Sequence, residues 1–99
     1  MFGRKKVLSK KEVEKHLRDL SEWKPNAKHT QISKTYPFPS FIAGLAFIAK
    51  ISVHAEVLNH HPTLELSYGN VKVTLTTHSA KGLTKGDFEL AGRIEKLNR

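Results

Sequence analysis

The chain has 99 residues, with 17 Lys and Arg against 9 Asp and Glu for a formal charge of +8, and no cysteine. That length fits one domain, spanning residues 1–99, around one core, and excludes a second domain or a long inserted lid. Without cysteine there is no disulfide scaffold, no cysteine-ligated zinc and no thiol nucleophile, so any chemistry falls to His, Asp, Glu, Lys, Tyr or Ser/Thr.

The positive charge is uneven. Arg4, Lys5, Lys6, Lys10, Lys11, Lys15 and Arg18 crowd the first 20 residues, whereas residues 60–80 hold only Lys72 and Glu65. Such a run reads as a solvated face, with residues 1–8 a flexible basic N-terminus, ahead of a polyanion or nucleic-acid site. Lys10, Lys11, Glu12 and Glu14 stand where a secretory signal needs an apolar run, so a cytoplasmic location is expected. The apolar stretch from Phe41 to Ala49 is too short for a bilayer, and Lys50, His54 and Glu56 interrupt its continuation, so a core helix and no membrane association are expected.

In chain order, Ser9 and Glu12 have capping-box spacing, and Val13, Leu17 and Leu20 recur at helical intervals, predicting a helix over 10–20. Pro25-Asn26 is turn chemistry, and Thr30, Ile32, Lys34 and Tyr36 at period two predict a strand completing a hairpin. Trp23 reads as a core anchor of that hairpin. Ser40 predicts a second helix to about Leu58, with Phe41, Leu45, Ile48, Ile51 and Val57 on its apolar face. Asn59-His60-His61-Pro62 ends it. Leu64, Leu66 and Tyr68, then Val71, Val73 and Leu75, alternate about a two-residue turn predicted at Gly69-Asn70. Thr84 and Asp87 cap a last helix carrying Phe88, Leu90, Ala91, Ile94 and Leu97. The order α-β-β-α-β-β-α predicts an α+β domain: a four-stranded antiparallel sheet with three helices packed on one face.

This hairpin register pairs Leu66 with Val73 and Leu64 with Leu75, and its extension would set His61 opposite His78. His60 adjoins His61, and Glu56 lies four residues before His60, within one helical turn. Histidine exchanges protons near neutrality, with an ordinary pKa of about 6.5. Clustered histidines supply both a proton donor and a proton acceptor without metal. Three histidines and Glu56 are also a donor set that zinc accepts, but no H-x-x-x-H pair supports a metal site, and none is expected. His16 and His29 read as surface residues.

The ordered set Ala55-Glu56-Val57-Leu58-Asn59-His60-His61-Pro62, Thr77-His78, Gly82-Leu83-Thr84 and Asp87 resembles the pterin-4a-carbinolamine dehydratases, with the likeness reaching upstream to Trp23 and the Ile32–Phe38 strand. The resemblance implies dehydration of 4a-hydroxytetrahydropterin to quinonoid dihydropterin by acid and base catalysis, with no cofactor. It assigns catalysis to His60, His61 and His78, substrate contact to Asn59, Pro62, Thr76, Thr77 and Ser79, and support to Glu56 and Asp87. It further implies a homodimer or homotetramer and a link to an aromatic amino acid hydroxylase pathway. A binding-module role is the alternative, since animal members of the family also act as dimerisation cofactors of a homeodomain factor. A basic nucleic-acid-associated protein is a further alternative, although no specific nucleic-acid partner is expected. Thr63-Leu64, Ser79 and Lys81 depart from many relatives, which carry acidic, aromatic or small residues there.

Overall fold

Ser9 starts the first helix as its spacing predicts. In the computed structural model, which describes residues 6–98, its hydroxyl accepts from the Glu12 amide at 3.1 Å and the Glu12 carboxylate accepts from the Ser9 amide at 2.8 Å. Both bonds satisfy donors that a helix start leaves open. Helix α1 (Lys10–Leu17) ends before the predicted residue 20 and continues as turns through Leu20. Next come β1 (Lys24–Pro25), β2 (Ile32–Pro37), α2 (Phe41–Leu58), β3 (Thr63–Ser67), β4 (Asn70–Leu75), a 3-10 turn at His78–Ala80, and α3 (Lys85–Leu97). This is the predicted α+β order, built on an antiparallel sheet arranged β1-β2-β4-β3.

Strand register decides which side chains share the core. Ile32, Lys34 and Tyr36 oppose Leu75, Val73 and Val71, while Leu64 and Leu66 oppose Val73 and Val71. Because side chains alternate along a strand, these residues lie on one face. Ile32, Tyr36, Val71, Val73 and Leu75 join Val13, Ile51, Leu90, Ala91 and Ile94 from the helices in one buried cluster. The other face carries Ser33, Thr35, Thr63, Glu65, Lys72 and Thr74, the polar pattern of an antiparallel sheet with one side uncovered.

The β3–β4 turn differs from the sequence prediction. It runs through Tyr68-Gly69, with Ser67 opposite Asn70, and Tyr68 stays exposed. Asn70 is held in the ladder from both sides, because it also opposes Pro37 of β2 and the adjacent Gly69 carbonyl accepts from the Phe38 amide at 2.9 Å. The register therefore moves by two residues. A shift of two preserves every face, so the predicted core residues stay in place while their partners change.

Helix α2 is apolar nearly all round, and its core face is narrower than predicted. Gly44, Phe47, Ile51 and Ala55 are buried, whereas Phe41, Ile42, Leu45, Val53 and Val57 are exposed. Gly44 permits close approach to the sheet: a Cβ there would lie 2.9 Å from Leu66 Cδ1 and 3.2 Å from Val71 Cγ2. With 18 residues and a mean hydropathy of 1.7, α2 matches a membrane span in length and composition. Its buried side nonetheless packs on β3, β4 and α3, as expected of a core helix.

Residues 1–5 of the expected flexible N-terminus lie outside the described residues. Leu8, its last residue, instead belongs to the core: it is buried, and its amide donates to the Leu83 carbonyl at 2.8 Å.

Candidate active site

The end of α2 separates the two adjacent histidines. Asn59 caps the helix in the left-handed conformation, at φ 51° and ψ 46°, a position that asparagine tolerates better than most residues. The His60 amide donates to the Ala55 carbonyl at 2.9 Å, and Pro62 prevents helix from resuming. This sharp turn sends His60 inward, to 7% exposure, and leaves the His61 side chain 56% exposed.

Partners of the two rings differ from the expected ones. Glu56 accepts from Nε2 of His61 at 2.6 Å, not from His60, because the left-handed residue breaks the helical spacing on which the Glu56–His60 pairing depended. His60 pairs instead with Asp87 on α3, Nε2 to Oδ1 at 2.6 Å. Asp87 is fully buried, and its other oxygen accepts from Thr77 Oγ1 at 2.7 Å and from the Thr84 amide at 2.9 Å. Since Thr77 gives its one proton to Asp87, the 2.9 Å contact between hydroxyls makes Thr84 the donor to Thr77. Each member of this network is thus satisfied by another, which is what burial of polar groups requires.

The network fixes the His60 tautomer. A carboxylate only accepts, so Nε2 carries the proton and, in the neutral ring, the lone pair resides on Nδ1. Nδ1 has no hydrogen-bond partner among the described residues, and the ring borders a cavity of about 440 Å³. Leu8, Leu58, Thr84 and Gly86 form part of its lining, with Lys6, Glu12, Lys85 and Glu89 supplying charge. A buried base, held by a carboxylate and open on its other nitrogen, is equipped to accept a proton from a bound molecule.

Thr77 closes the loop bearing the third histidine. Its amide donates to the Gly82 carbonyl at 2.9 Å, and between them His78 lies on the surface in the 3-10 turn, its ring without a hydrogen-bond partner among the described residues. The corrected register, extended beyond Thr63, aligns His60 with Thr77 and His61 with Thr76; the predicted His61–His78 pairing rests on a register that the sheet does not adopt. Thr76 uses its hydroxyl on the Thr30 carbonyl at 2.7 Å, which ties β4 to the loop before β2. Pro62 is half-buried and Ser79 exposed. Among the described residues no three His, Asp or Glu side chains converge closely enough to hold a metal ion.

The sequence model of the family described as pterin 4 alpha carbinolamine dehydratase matches residues 6–97. The chain belongs to that family. A Nostoc sp. protein is 41% identical over 92 residues, covering 93% of this chain and 97% of its own, and a Rhizobium johnstonii protein is 44% identical over 89 residues, covering 90% and 88%. Both carry the name pterin-4-alpha-carbinolamine dehydratase, given in each case as provisional. Among solved structures, a transcriptional coactivator/pterin dehydratase from Brucella melitensis superposes with a TM-score of 0.88 at 32% identity, over 93% of this chain and 98% of that one. A pterin dehydratase-like protein identified as a RuBisCO assembly factor of the alpha-carboxysome shares the fold, with a TM-score of 0.65 at 21% identity over 77% of this chain and 88% of its own. The fold of pterin dehydratases therefore occurs with more than one named role.

Residue spacing alone missed two features of the site, although the family resemblance gives Asp87 a supporting role. Asp87 reads there first as a helix cap; it performs that duty through Thr84 and simultaneously holds His60. Leu8 and Lys6, in the segment predicted to be flexible, help line the His60 cavity. The signal for the first was Asp87 itself, an acid whose distance in sequence from His60 hides their contact. Lys6 and Leu8 carried no comparable signal.

Proposed function

We propose that the chain catalyses the dehydration of 4a-hydroxytetrahydropterin to quinonoid dihydropterin. The observation that carries this reading is the buried His60–Asp87 pair, whose ring lines the cavity and whose Nδ1 has no hydrogen-bond partner among the described residues. In the reaction the N5 lone pair forms the C4a=N5 double bond as the 4a hydroxyl departs, protonated, as water; the N5 proton passes to a base. His60 is that base. His61, held by Glu56, and His78 are exposed, exchange protons with solvent, and serve as the acid that protonates the departing hydroxyl.

Stopped-flow absorbance of 4a-hydroxytetrahydropterin breakdown tests this directly. The parent should accelerate the reaction over the spontaneous rate, and His60→Ala should remove about 100-fold or more of the acceleration, within the range ascribed to a positioned acid or base. His61→Ala and His78→Ala should each be impaired. A folded parent that gives no acceleration would sink the reading.

A homo-oligomer is proposed from a separate observation. Ile42, Leu45, Val53 and Val57 leave an apolar stripe along α2, in a chain too small to enclose much surface by itself. A second copy of α2 against this stripe would cover it. Sedimentation should find an oligomer in the parent and a folded monomer in the Val53→Asp, Val57→Asp double variant; a monomeric parent would refute the assembly.

A further inference from the structure

The charges around the His60 cavity are not equally available. Glu12 accepts the Ser9 amide and lies 3.7 Å from the Lys6 ammonium, while Glu89 is 3.2 Å from Arg93. Both carboxylates that line the cavity therefore have a cation beside them. Lys85 makes no ion pair among the described residues, and it stands at the first position of α3. The amides of Lys85 and Gly86 precede the first intrahelical bond of α3 and pair with no other group among the described residues, so they project at the positive end of the helix dipole.

His60 adds an independent observation. More than nine-tenths buried, it lines the cavity with Nδ1 unpartnered among the described residues, facing the bare backbone of Gly86. A Cβ on Gly86 would stand 3.4 Å from that nitrogen and 3.5 Å from Thr84 Oγ1. Glycine leaves the helix start uncovered where the buried ring meets it. Leu8 and Leu58 give the cavity apolar walls, and about 440 Å³ is the scale of a small-molecule site, larger than a single oxyanion requires.

We propose that this cavity binds a small molecule bearing an anionic group, a carboxylate or phosphate, with that group on the Lys85 and Gly86 amides beside the Lys85 ammonium and its apolar or planar body against Leu8 and Leu58. Such a group comes either as a substituent on the pterin substrate, in which case the inference rests on the proposed dehydratase reading, or from a free oxyanion compound. Unpaired amides at a helix start are suited to both.

The test is an amide and imidazole NMR titration of the full chain with three probes: inorganic phosphate, 6-carboxypterin and unsubstituted pterin. Lys85→Gln is the site variant and Lys72→Gln, on β4, the charge control. Saturable shifts at Lys85, Gly86 and the His60 ring are expected with 6-carboxypterin, weakened about tenfold by Lys85→Gln, in line with loss of one contact to a charged group, and unaffected by Lys72→Gln. Parallel shifts with phosphate identify a free oxyanion as sufficient; shifts with 6-carboxypterin alone identify the substituent. The proposal is overturned if 6-carboxypterin shifts these signals no more than pterin does, or if both lysine variants weaken binding equally, as general attraction to a basic surface would require. Binding is read without turnover, so a chain inactive in stopped-flow still tests the site.

Discussion

Asp87→Asn is expected to lower the acceleration of 4a-hydroxytetrahydropterin breakdown about 100-fold while the protein remains folded. Asparagine has the same outline, and its amide oxygen can accept from Thr77 and the Thr84 amide as the Asp87 Oδ2 atom does. Its amide nitrogen must then face His60 Nε2, where Asp87 now presents Oδ1. Two donors cannot share that contact, so the ring changes tautomer: Nε2 accepts and Nδ1 takes the proton. The cavity then meets an N–H in place of a lone pair, and the base is lost although every heavy atom keeps its place. Nitrogen chemical shifts of the His60 ring report the tautomer independently of turnover. A switched tautomer with undiminished turnover would show that His60 is not the base. Asp87→Ala is harsher, because it strands the donors of His60, Thr77 and Thr84 in a buried site, at about 1–3 kcal/mol for each.

The same residues show what the sequence makes legible. Local patterns place the three helices and the strands β2 to β4, because capping at Ser9, alternation in Leu64, Leu66, Val71 and Val73, and helical spacing in α3 each act over a few residues. Strand β1 follows only from the hairpin, and Pro25, read as a turn residue, pairs with Ile32 within it. Register is less local. The turn at Tyr68-Gly69 is selected partly by β2, whose Pro37 faces Asn70 and whose neighbour Phe38 donates to Gly69, and no reading of the hairpin alone contains that contact. The site combines the two cases. The His60-His61-Pro62 junction is visible as a helix stop, yet the direction of each ring depends on the left-handed Asn59, and the partner of His60 comes from a helix 27 residues onward. Histidine-rich spacing points to proton chemistry; only tertiary contact distinguishes a buried ring held by Asp87 from an exposed one held by Glu56.

A second long-range cluster, away from the histidines, should dominate stability. Trp23 and Tyr36 read in the sequence as a core anchor and a strand residue, but both donate to one oxygen of Glu95 on α3: Trp23 Nε1 at 3.0 Å, and the Tyr36 hydroxyl. Lys34 Nζ donates to the same Oε2 at 2.6 Å. Trp23 and Tyr36 are 4% and 1% exposed, so Glu95→Ala leaves their donors in a place that water scarcely reaches. At about 1–3 kcal/mol for each stranded buried group, the variant should lose about 3 kcal/mol. For a domain of this size that lowers the Tm by roughly 12 °C or more. Turnover per folded molecule should not change.

The pH dependence carries the same cluster's signature. Burial alone would raise the Glu95 carboxyl, but the hydrogen bonds from Lys34, Tyr36 and Trp23 outweigh it and hold the group below the usual carboxylate range. The unfolded chain consequently takes up this proton first as pH falls, and the stability contributed by Glu95 is present above an unfolded pKa of about 4.3 and lost as pH drops through the lower folded value. Tyr36 acts at the other limit. Burial, then its bond to Glu95, raises its hydroxyl, so its contribution is present below an unfolded pKa of about 10 and lost as pH rises through the folded value. Melting curves from pH 3 to 11 should show both limbs in the parent, the acid limb shallower in Glu95→Gln and the alkaline limb shallower in Tyr36→Phe. If Glu95→Ala melts with the parent, the three donors find other partners and the tie between α3 and the sheet is only geometric.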